Sequence, residues 1–194
     1  MSTADQALPT YGPGWDDSLP HSCHTVHGPD SWGVFWQRSR RDRAAEVVLC
    51  VQRTNGKLLV HTKSFYPPSS WRLLSGGVHH NEPPGAAALR EGFEETSLEL
   101  ELVRALARLD YRFIWPSGEL IFTSFLYLMR EIGGELAVAD AGEQITGYRE
   151  VEVAELPALA DALDALPSED WNAWGRFRAL AHRAAWQLLS APDA

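Results

Sequence analysis

One stretch of the sequence, residues 76–98, constrains the fold more than any other, because it combines helix signals with a concentration of acidic side chains. Glu82 and Pro83 suit the start of a helix, since acidic side chains are favoured near the positive helix end and proline fits the first turn. The pattern predicts a helix over residues 83–96.

The predicted helix carries three glutamates on one side. At about 100° per residue, Glu91, Glu94 and Glu95 fall within an arc of about 100°. Leu89 and Phe93 fall on the opposite side. We therefore expect the helix to pack through Leu89 and Phe93 and to present the three carboxylates together.

Carboxylates that are three or four residues apart on a helix repel each other, by about 0.2–0.5 kcal/mol per pair in water. Arg90 can offset the charge of Glu94 at i+4, but it cannot neutralise all three glutamates. A divalent cation that prefers oxygen ligands, Mg²⁺ or Mn²⁺, would offset the remaining charge. The alternative is a solvated acidic face without a metal ion.

The spacing of these residues resembles the Nudix box, written G-x5-E-x7-R-E-U-x-E-E-x-G-U, where U is a bulky aliphatic residue. Six of the seven fixed positions are matched, by Gly76, Glu82, Arg90, Glu91, Glu94 and Glu95, and Leu98 meets the final U. Gly92 replaces the first U, at a cost of about 0.5–1 kcal/mol inside a helix, although it could let another element approach closely. Ser97 replaces the last glycine and disfavours a left-handed cap by about 1 kcal/mol.

The resemblance implies a role for each matched side chain. Glu94 and Glu95 would be metal ligands, and Glu91 would be a further ligand or the base that activates water. Arg90 would orient the carboxylates, and Glu82 would support that network from the start of the helix.

Many members of this family also use a carboxylate from a later loop. Glu143 is our candidate, because it follows the loop 139–142 and opens a predicted strand. Glu150 and Glu152 are alternatives, and a plain surface position for Glu143 is another.

The expected substrate-binding residues lie before the box or at its start: Arg53, Lys63, Arg72, Gly76 and Gly77. Structural ion pairs are the alternative for the three basic residues. Tyr111, Phe113 and Trp115 could stack on a nucleobase, with core packing as the alternative.

The resemblance implies metal-dependent hydrolysis, with Mg²⁺ or Mn²⁺, of a diphosphate linkage in a nucleoside diphosphate joined to another moiety (NDP-X). Metal ions would neutralise the phosphate oxygens and lower the pKa of water, while carboxylates hold the cations and accept a proton. The alternative is a catalytically weak nucleotide-sensing or regulatory module with the same fold.

The flanks of the box agree with the α/β class, in the form of the Nudix α/β/α sandwich with a mixed sheet. Apolar runs at 45–53 and 57–63 flank Asn55-Gly56, a strong hairpin signal. Further strands are predicted at 100–108, 109–115, 120–130 and 144–153.

The two ends of the chain differ from the middle. Residues 1–43 lack a sustained period and are interpreted as an irregular N-terminal arm whose aromatic residues pack on the body or on a partner chain, and residues 44–194 form the hydrolase domain. Apolar residues from Trp171 to Leu188 recur at three- and four-residue steps, which predicts one long C-terminal helix. Its aromatic stripe is core or a homodimer interface.

Histidines occur at two places that could carry chemistry. The motif HSCHTVH holds His21, Cys23, His24 and His27, which are compact enough for zinc, but the sequence offers no second cluster to complete a site. His79 and His80 fall on variable positions of the box, where a catalytic role is the less favoured interpretation.

The formal net charge of −9 argues against a general nucleic-acid partner, but it is compatible with a small anionic substrate when a cation is bound. We see no export signal and no apolar stretch long enough to span a bilayer, and two cysteines are too few for a disulfide scaffold. The expected location is cytoplasmic.

Overall fold

The computed structural model describes residues 18–191. These residues form seven strands and four α-helices, with two short 3₁₀ turns at Ala141–Glu143 and Val153–Glu155. In chain order they are β1 (His21–His27), α1 (Asp30–Ser39), β2 (Ala45–Gln52), β3 (Leu58–Lys63), β4 (Arg72–Val78), α2 (Pro84–Thr96), β5 (Leu98–Trp115), β6 (Gly118–Gly134), β7 (Ile145–Val151), α3 (Leu156–Asp164) and α4 (Glu169–Ser190).

All seven strands belong to one mixed sheet, in the order β1-β5-β6-β2-β4-β3-β7. The pairs β1–β5 and β2–β6 are parallel, and the other neighbours are antiparallel. Helix α2 packs on one face against β2, β4 and β5, whereas α1 and α4 contact strands of the other face. The prediction of an α/β sandwich with a mixed sheet is confirmed.

The hairpin predicted at Asn55-Gly56 is present only as a turn. Gly56 adopts a φ of 86°, as such a turn requires, but β2 and β3 pair at a single position, Gln52 with Leu58. Strand β4 then lies between them and pairs with both. The two strands predicted at 100–108 and 109–115 are one strand, β5, bent at register shifts such as that between Leu102 and Arg104.

The interpretation of the N-terminal segment as irregular is wrong for residues 21–39. Strand β1 is the edge strand next to β5, and α1 buries Trp32 and Trp36 against Phe113. The inward-facing positions Ser22 and His24 are polar, so the sequence of β1 lacks the alternation of apolar and polar residues that marks a strand. The expectation that aromatic residues of this segment pack on the body is confirmed for these two tryptophans, and Trp15 lies outside the described residues.

The long C-terminal helix is confirmed as α4. Its stripe is core: Phe177 and Ala181 are buried, and Trp174 packs beside α3 in a small cluster with Leu163. No helix within residues 18–191 is both long and apolar enough to cross a membrane.

Candidate active site

Helix α2 lies on the sheet through its acidic side, which reverses the orientation expected from the sequence. Leu89 and Phe93 are 43% and 54% exposed, while Glu91 and Glu95 are 6% and 0% exposed. Small residues allow this close packing: a Cβ at Gly92 would lie 2.6 Å from Cδ1 of Leu100. Gly92 therefore lets β5 approach the helix closely. Because Glu91 and Glu95 are buried, their carboxylates need cationic partners.

Helix α2 begins as its sequence predicts, and it keeps a left-handed C-terminal cap although Ser97 disfavours that conformation. Pro83 is the N-cap and Pro84 occupies the first turn. Ser97 takes the left-handed conformation (φ 57°) in place of the usual glycine, and its N–H donates to the carbonyl of Phe93 at 2.7 Å. The chain therefore keeps the helix end of the box despite the serine.

Arg90 holds the first group of carboxylates. Its guanidinium donates from Nε and Nη2 to the two oxygens of Glu82, both at 2.8 Å. Nη1 donates to Glu91 Oε1 at 2.8 Å and to Glu94 Oε2 at 3.0 Å. Nη2 also donates to the carbonyl of Gly77 at 2.8 Å, which ties the helix to the end of β4.

Glu82 is fixed as the anchor of this network. Its Oε2 accepts from the backbone N–H of His79 at 2.9 Å. Hydrogen bonds from Arg90 hold the pKa of Glu82 below its ordinary value. Glu82 therefore stays ionised and orients Arg90, as the resemblance implied.

Lys63 contacts a second group of carboxylates, those of Glu95 and Glu143. Its Nζ lies 3.0 Å from Glu95 Oε1 and 2.5 Å from Glu143 Oε2. Glu143 sits in the 3₁₀ turn before β7, so the structure brings this late-loop glutamate beside the helix carboxylates. The backbone N–H of Ser75 donates to the other oxygen of Glu95 at 3.2 Å.

Glu95 is the most unusual group of the site. Its buried Oε1 forms an ion pair with Lys63 Nζ at 3.0 Å, and no hydrogen bond of regular geometry reaches that oxygen. Burial raises the pKa of Glu95 to about 7, against the opposing charges of Lys63 and Arg72. Burial also raises the pKa of Glu91. Both glutamates therefore hold protons more tightly than surface carboxylates do.

The glycines of the box permit close approach of the helix. A Cβ at Gly76 would lie 1.8 Å from the carboxyl carbon of Glu91, so no side chain fits there. A Cβ at Gly77 would lie 3.3 Å from Nε of Arg43, which places Arg43 next to the box. Gly76 and Gly77 thus lie in the site, although their expected contact with substrate stays a prediction.

Arg53 is not brought to this site. It pairs with Glu131 at 2.6 Å and with Glu150 at 3.4 Å, at the far end of β2, so the alternative of a structural ion pair applies. Glu150 and Glu152 lie at that same end, where Glu152 is 3.5 Å from Lys57. Of the three late carboxylates, Glu143 alone adjoins the helix cluster.

Arg72 lies behind the carboxylates, buried at the start of β4. It donates to the hydroxyl of Tyr66 and to Ser75 Oγ, both at 2.7 Å. Ser75 links the two faces of the sheet, because its backbone N–H contacts Glu95 while its hydroxyl contacts Arg72. Arg72 also lines a small cavity between the sheet and α4, together with Glu46, Tyr111 and other residues.

The aromatic residues proposed for base stacking belong to the core. Tyr111, Phe113 and Trp115 are 1%, 0% and 6% exposed. Phe113 stacks on Trp36 at 4.5 Å between ring centroids and on Tyr111 at 5.6 Å. Of these three residues Tyr111 alone lines the cavity, so Phe113 and Trp115 are core residues.

Several buried polar residues were missed by sequence reasoning. Glu46 pairs with Arg178 at 2.6 Å, and His182 Nε2 accepts from the N–H of Leu73 at 3.0 Å. His61 is fully buried, 3.9 Å from Glu95. A signal was present: Glu46 and His61 each interrupt an apolar strand. His79 and His80 lie outside the carboxylate groups, near the backbone carbonyls of Asp42 and Arg40.

The site thus combines five glutamates with two cations, at the point where α2 meets the end of β4. Comparison with known proteins agrees with this architecture. The family model described as the NUDIX domain matches residues 41–173. The chain belongs to the Nudix family.

A curated relative is similar to this chain in sequence. Mutator protein MutT4 of Mycobacterium tuberculosis (strain CDC 1551 / Oshkosh) is 30% identical over 136 residues, which are 69% of this chain and 50% of the relative. The chain therefore spans about half the length of this curated relative.

A solved structure shares the fold, and a second is reported for its sequence identity. A UDP-X diphosphatase aligns with a TM-score of 0.50 and 19% identity, over 83% of this chain and 71% of that one. A MutT NUDIX hydrolase from Burkholderia pseudomallei is 24% identical over 72% of this chain and 95% of its own, with a TM-score of 0.46.

Proposed function

We propose that the chain is a Nudix hydrolase that uses Mg²⁺ or Mn²⁺ to cleave a diphosphate linkage in an NDP-X substrate. The observation that carries the proposal is Glu95: a fully buried carboxylate whose Oε1 lacks a hydrogen bond and whose neighbour Glu143 shares the same lysine. A buried charge is costly unless it is both paired and hydrogen-bonded. Coordination to a cation would remove that cost.

The residues present fit a hard divalent cation. The helix glutamates and Glu143 offer carboxylate oxygens, the ligand type that Mg²⁺ and Mn²⁺ prefer. Glu95, Glu91 and Glu94 would hold the ion, with Glu143 as the late-loop carboxylate. When bound, the cation neutralises phosphate oxygens and lowers the pKa of water.

The chain's own residues supply the rest of the chemistry. Burial raises the pKa of Glu91 and so makes it a better proton acceptor near neutral pH than a surface glutamate. Arg90 keeps Glu91 oriented through the 2.8 Å hydrogen bond, and Glu82 keeps Arg90 in place. Glu91 would take the proton of the attacking water, while Arg90 limits its rotation.

Lys63 would bind the negative substrate. Its ammonium group is the cation nearest Glu95. A divalent metal ion bound by Glu95 and Glu143 would replace the ammonium group at those carboxylates. The freed ammonium would then pair with a phosphate oxygen. Arg72 acts through Ser75 and the back of the site, so we propose a supporting role for it.

NDP-X is the substrate class that family membership implies. The proposal also agrees with the solved UDP-X diphosphatase that shares the fold, although that likeness speaks to fold alone. Water would attack one phosphorus, the bridging P–O bond would break, and two phosphorylated products would leave.

A substrate panel tests the proposal. Purified protein with Mg²⁺ or Mn²⁺ is incubated with nucleoside diphosphate sugars, dinucleoside polyphosphates, NADH, coenzyme A and modified NTPs, and products are separated by chromatography. We expect two phosphorylated products from at least one diphosphate, only with metal, and none with Glu95→Gln. An intact panel would overturn the proposal, and nucleotide binding by calorimetry without product would favour the sensing alternative.

A further inference from the structure

Strand β1 separates the residues of its HSCHTVH motif onto two sides of the sheet. His24 points inward, 2.8 Å from Ser22 Oγ and with its ring 6.0 Å from that of Tyr111. His21 and Cys23 lie on the other side and are exposed, as is His27. The motif therefore cannot act as one four-residue site, and two of its metal-ligand types remain together at the sheet edge.

Strand β5 supplies a third ligand type at the same place. Asp110 is the register partner of Cys23 in the parallel β1–β5 pair. Its Oδ2 lies 2.8 Å from His21 Nε2, and that nitrogen lies 3.8 Å from Cys23 Sγ. Within residues 18–191, these are the only three His, Cys, Asp or Glu side chains whose ligand atoms all lie within 4.8 Å of one another.

The set of donors matches zinc better than magnesium. Zinc takes nitrogen, sulfur and oxygen ligands at about 2.0–2.3 Å, and sites with three protein ligands keep water as the fourth. Tetrahedral geometry at such bond lengths separates ligand atoms by about 3.3–3.8 Å. The observed distances bracket that spacing, so side-chain rotations would suffice to close the site.

The aspartate is held in place from its other side. Thr123 Oγ1 donates to Asp110 Oδ1 at 2.6 Å, and Arg108 donates from Nε to Oδ1 at 3.0 Å and from Nη2 to Oδ2 at 2.6 Å. Outer partners of this kind orient metal ligands. Oδ2 has a second lone pair, which in this structure faces His21.

We propose that His21, Cys23 and Asp110 bind one zinc ion, with solvent as the fourth ligand, and that this ion clamps the edge strand β1 to β5. On binding, the Cys23 thiol loses its proton to solvent and the sulfur lone pair coordinates, while His21 coordinates through Nε2. The site is separate from the α2 carboxylates and does not depend on the proposed hydrolase activity.

Cobalt(II) is the probe, because a thiolate bound to cobalt gives a near-ultraviolet charge-transfer band that carboxylates do not give. The reduced full chain is titrated with Co²⁺ and then with Zn²⁺, and zinc retained after dialysis is measured by elemental analysis. We expect one thiolate-bound ion per chain, displaced by Zn²⁺. Absence of the band in the wild-type protein would overturn the proposal.

Variants assign the ligands. Cys23→Ser should abolish the band, and Asp110→Asn should weaken binding at least about 10-fold, as lost ligands or their supports do. His27→Ala is the matched control, since His27 is exposed on the same strand, and it should keep the band. Glu95→Gln should keep it as well. A band that survives in Cys23→Ser, or that disappears equally in His27→Ala, would contradict the assignment.

Discussion

The two faces of the sheet bury charged groups in different ways. On the face that carries α2, Glu95 is fully buried and one of its oxygens lacks a hydrogen bond. On the face that carries α4, Glu46 is equally buried, but Arg178 contacts one of its oxygens at 2.6 Å and Ser124 donates to the other at 3.0 Å. Both oxygens of the buried Glu46 carboxylate thus have hydrogen-bond partners, whereas only one oxygen of the buried Glu95 carboxylate does.

The difference between Glu95 and Glu46 indicates which of these two carboxylates is placed for ligand binding and which for stability. A buried polar group with all its partners in place contributes to a unique structure, whereas an incompletely paired one is costly and suits a functional site. His182, on the α4 face, is another buried polar residue with a hydrogen-bond partner. Burial lowers the pKa of His182 to about 4, so it stays neutral, accepting from Leu73 N–H.

The largest expected effect comes from Glu95→Gln. This change removes a metal ligand while keeping the size of the side chain, so turnover should fall about 1000-fold, equivalent to about 4 kcal/mol of activation free energy. Stability at pH 8 should stay equal or rise, because a costly buried charge is lost. Steady-state kinetics and thermal unfolding measure both. Glu119→Gln, at an exposed carboxylate paired with Arg112, is the matched control and should change neither.

For Glu46→Gln we expect lower stability with metal binding unchanged, the reverse of the result expected for Glu95→Gln. It leaves the charge of Arg178 without its carboxylate, so the free energy of unfolding should fall by about 2 kcal/mol. Affinity for Mn²⁺, measured by calorimetry, should be unchanged. If Glu46→Gln weakened metal binding as much as Glu95→Gln does, the proposed contrast between the faces would be wrong.

His182 should make stability depend on pH. Its pKa in the folded protein, about 4, is below the ordinary 6.5, so the unfolded chain binds the proton first as pH falls. Its contribution is complete above pH 6.5 and is lost as pH falls towards 4, by about 3 kcal/mol. Urea unfolding of the wild type and His182→Asn from pH 8 to 4 isolates this term. Parallel curves for the two proteins would refute it.

The smallest of these effects concerns Lys63→Met. The ammonium of Lys63 competes with a divalent cation for Glu95 and Glu143, so its removal should tighten Mn²⁺ binding about 10-fold. Calorimetric titration without substrate measures this change. Lys57→Met, at an exposed lysine near Glu152, is the control. Weaker binding in Lys63→Met would show that the lysine supports the metal site instead of competing with it.

Local signals predicted what depends on neighbours in sequence. The start of α2 follows from Pro83 and Pro84, and α4 follows from its apolar period. The group of Arg90, Glu82 and Glu91 follows from motif spacing. These features need no knowledge of distant segments.

Contacts between distant segments could not be predicted. The buried side of α2 was assigned wrongly because Leu89 and Phe93 are its largest apolar residues, whereas burial of Glu95 depends on Lys63, a residue on another strand. Strand β1 forms, and Asp110 lies near Cys23, because β1 pairs in parallel with β5, a strand far along the chain. Periodicity carries no information on such pairings.

The central claim is that the Glu95 carboxylate binds a divalent cation. The most direct test is a crystal of the protein soaked in Mn²⁺, with anomalous scattering recorded at the manganese edge. The account predicts an anomalous peak within coordinating distance of Glu95 and of at least one of Glu91, Glu94 and Glu143, with Lys63 moved away. No peak there at saturating Mn²⁺, with the Lys63–Glu95 contact intact, would contradict it.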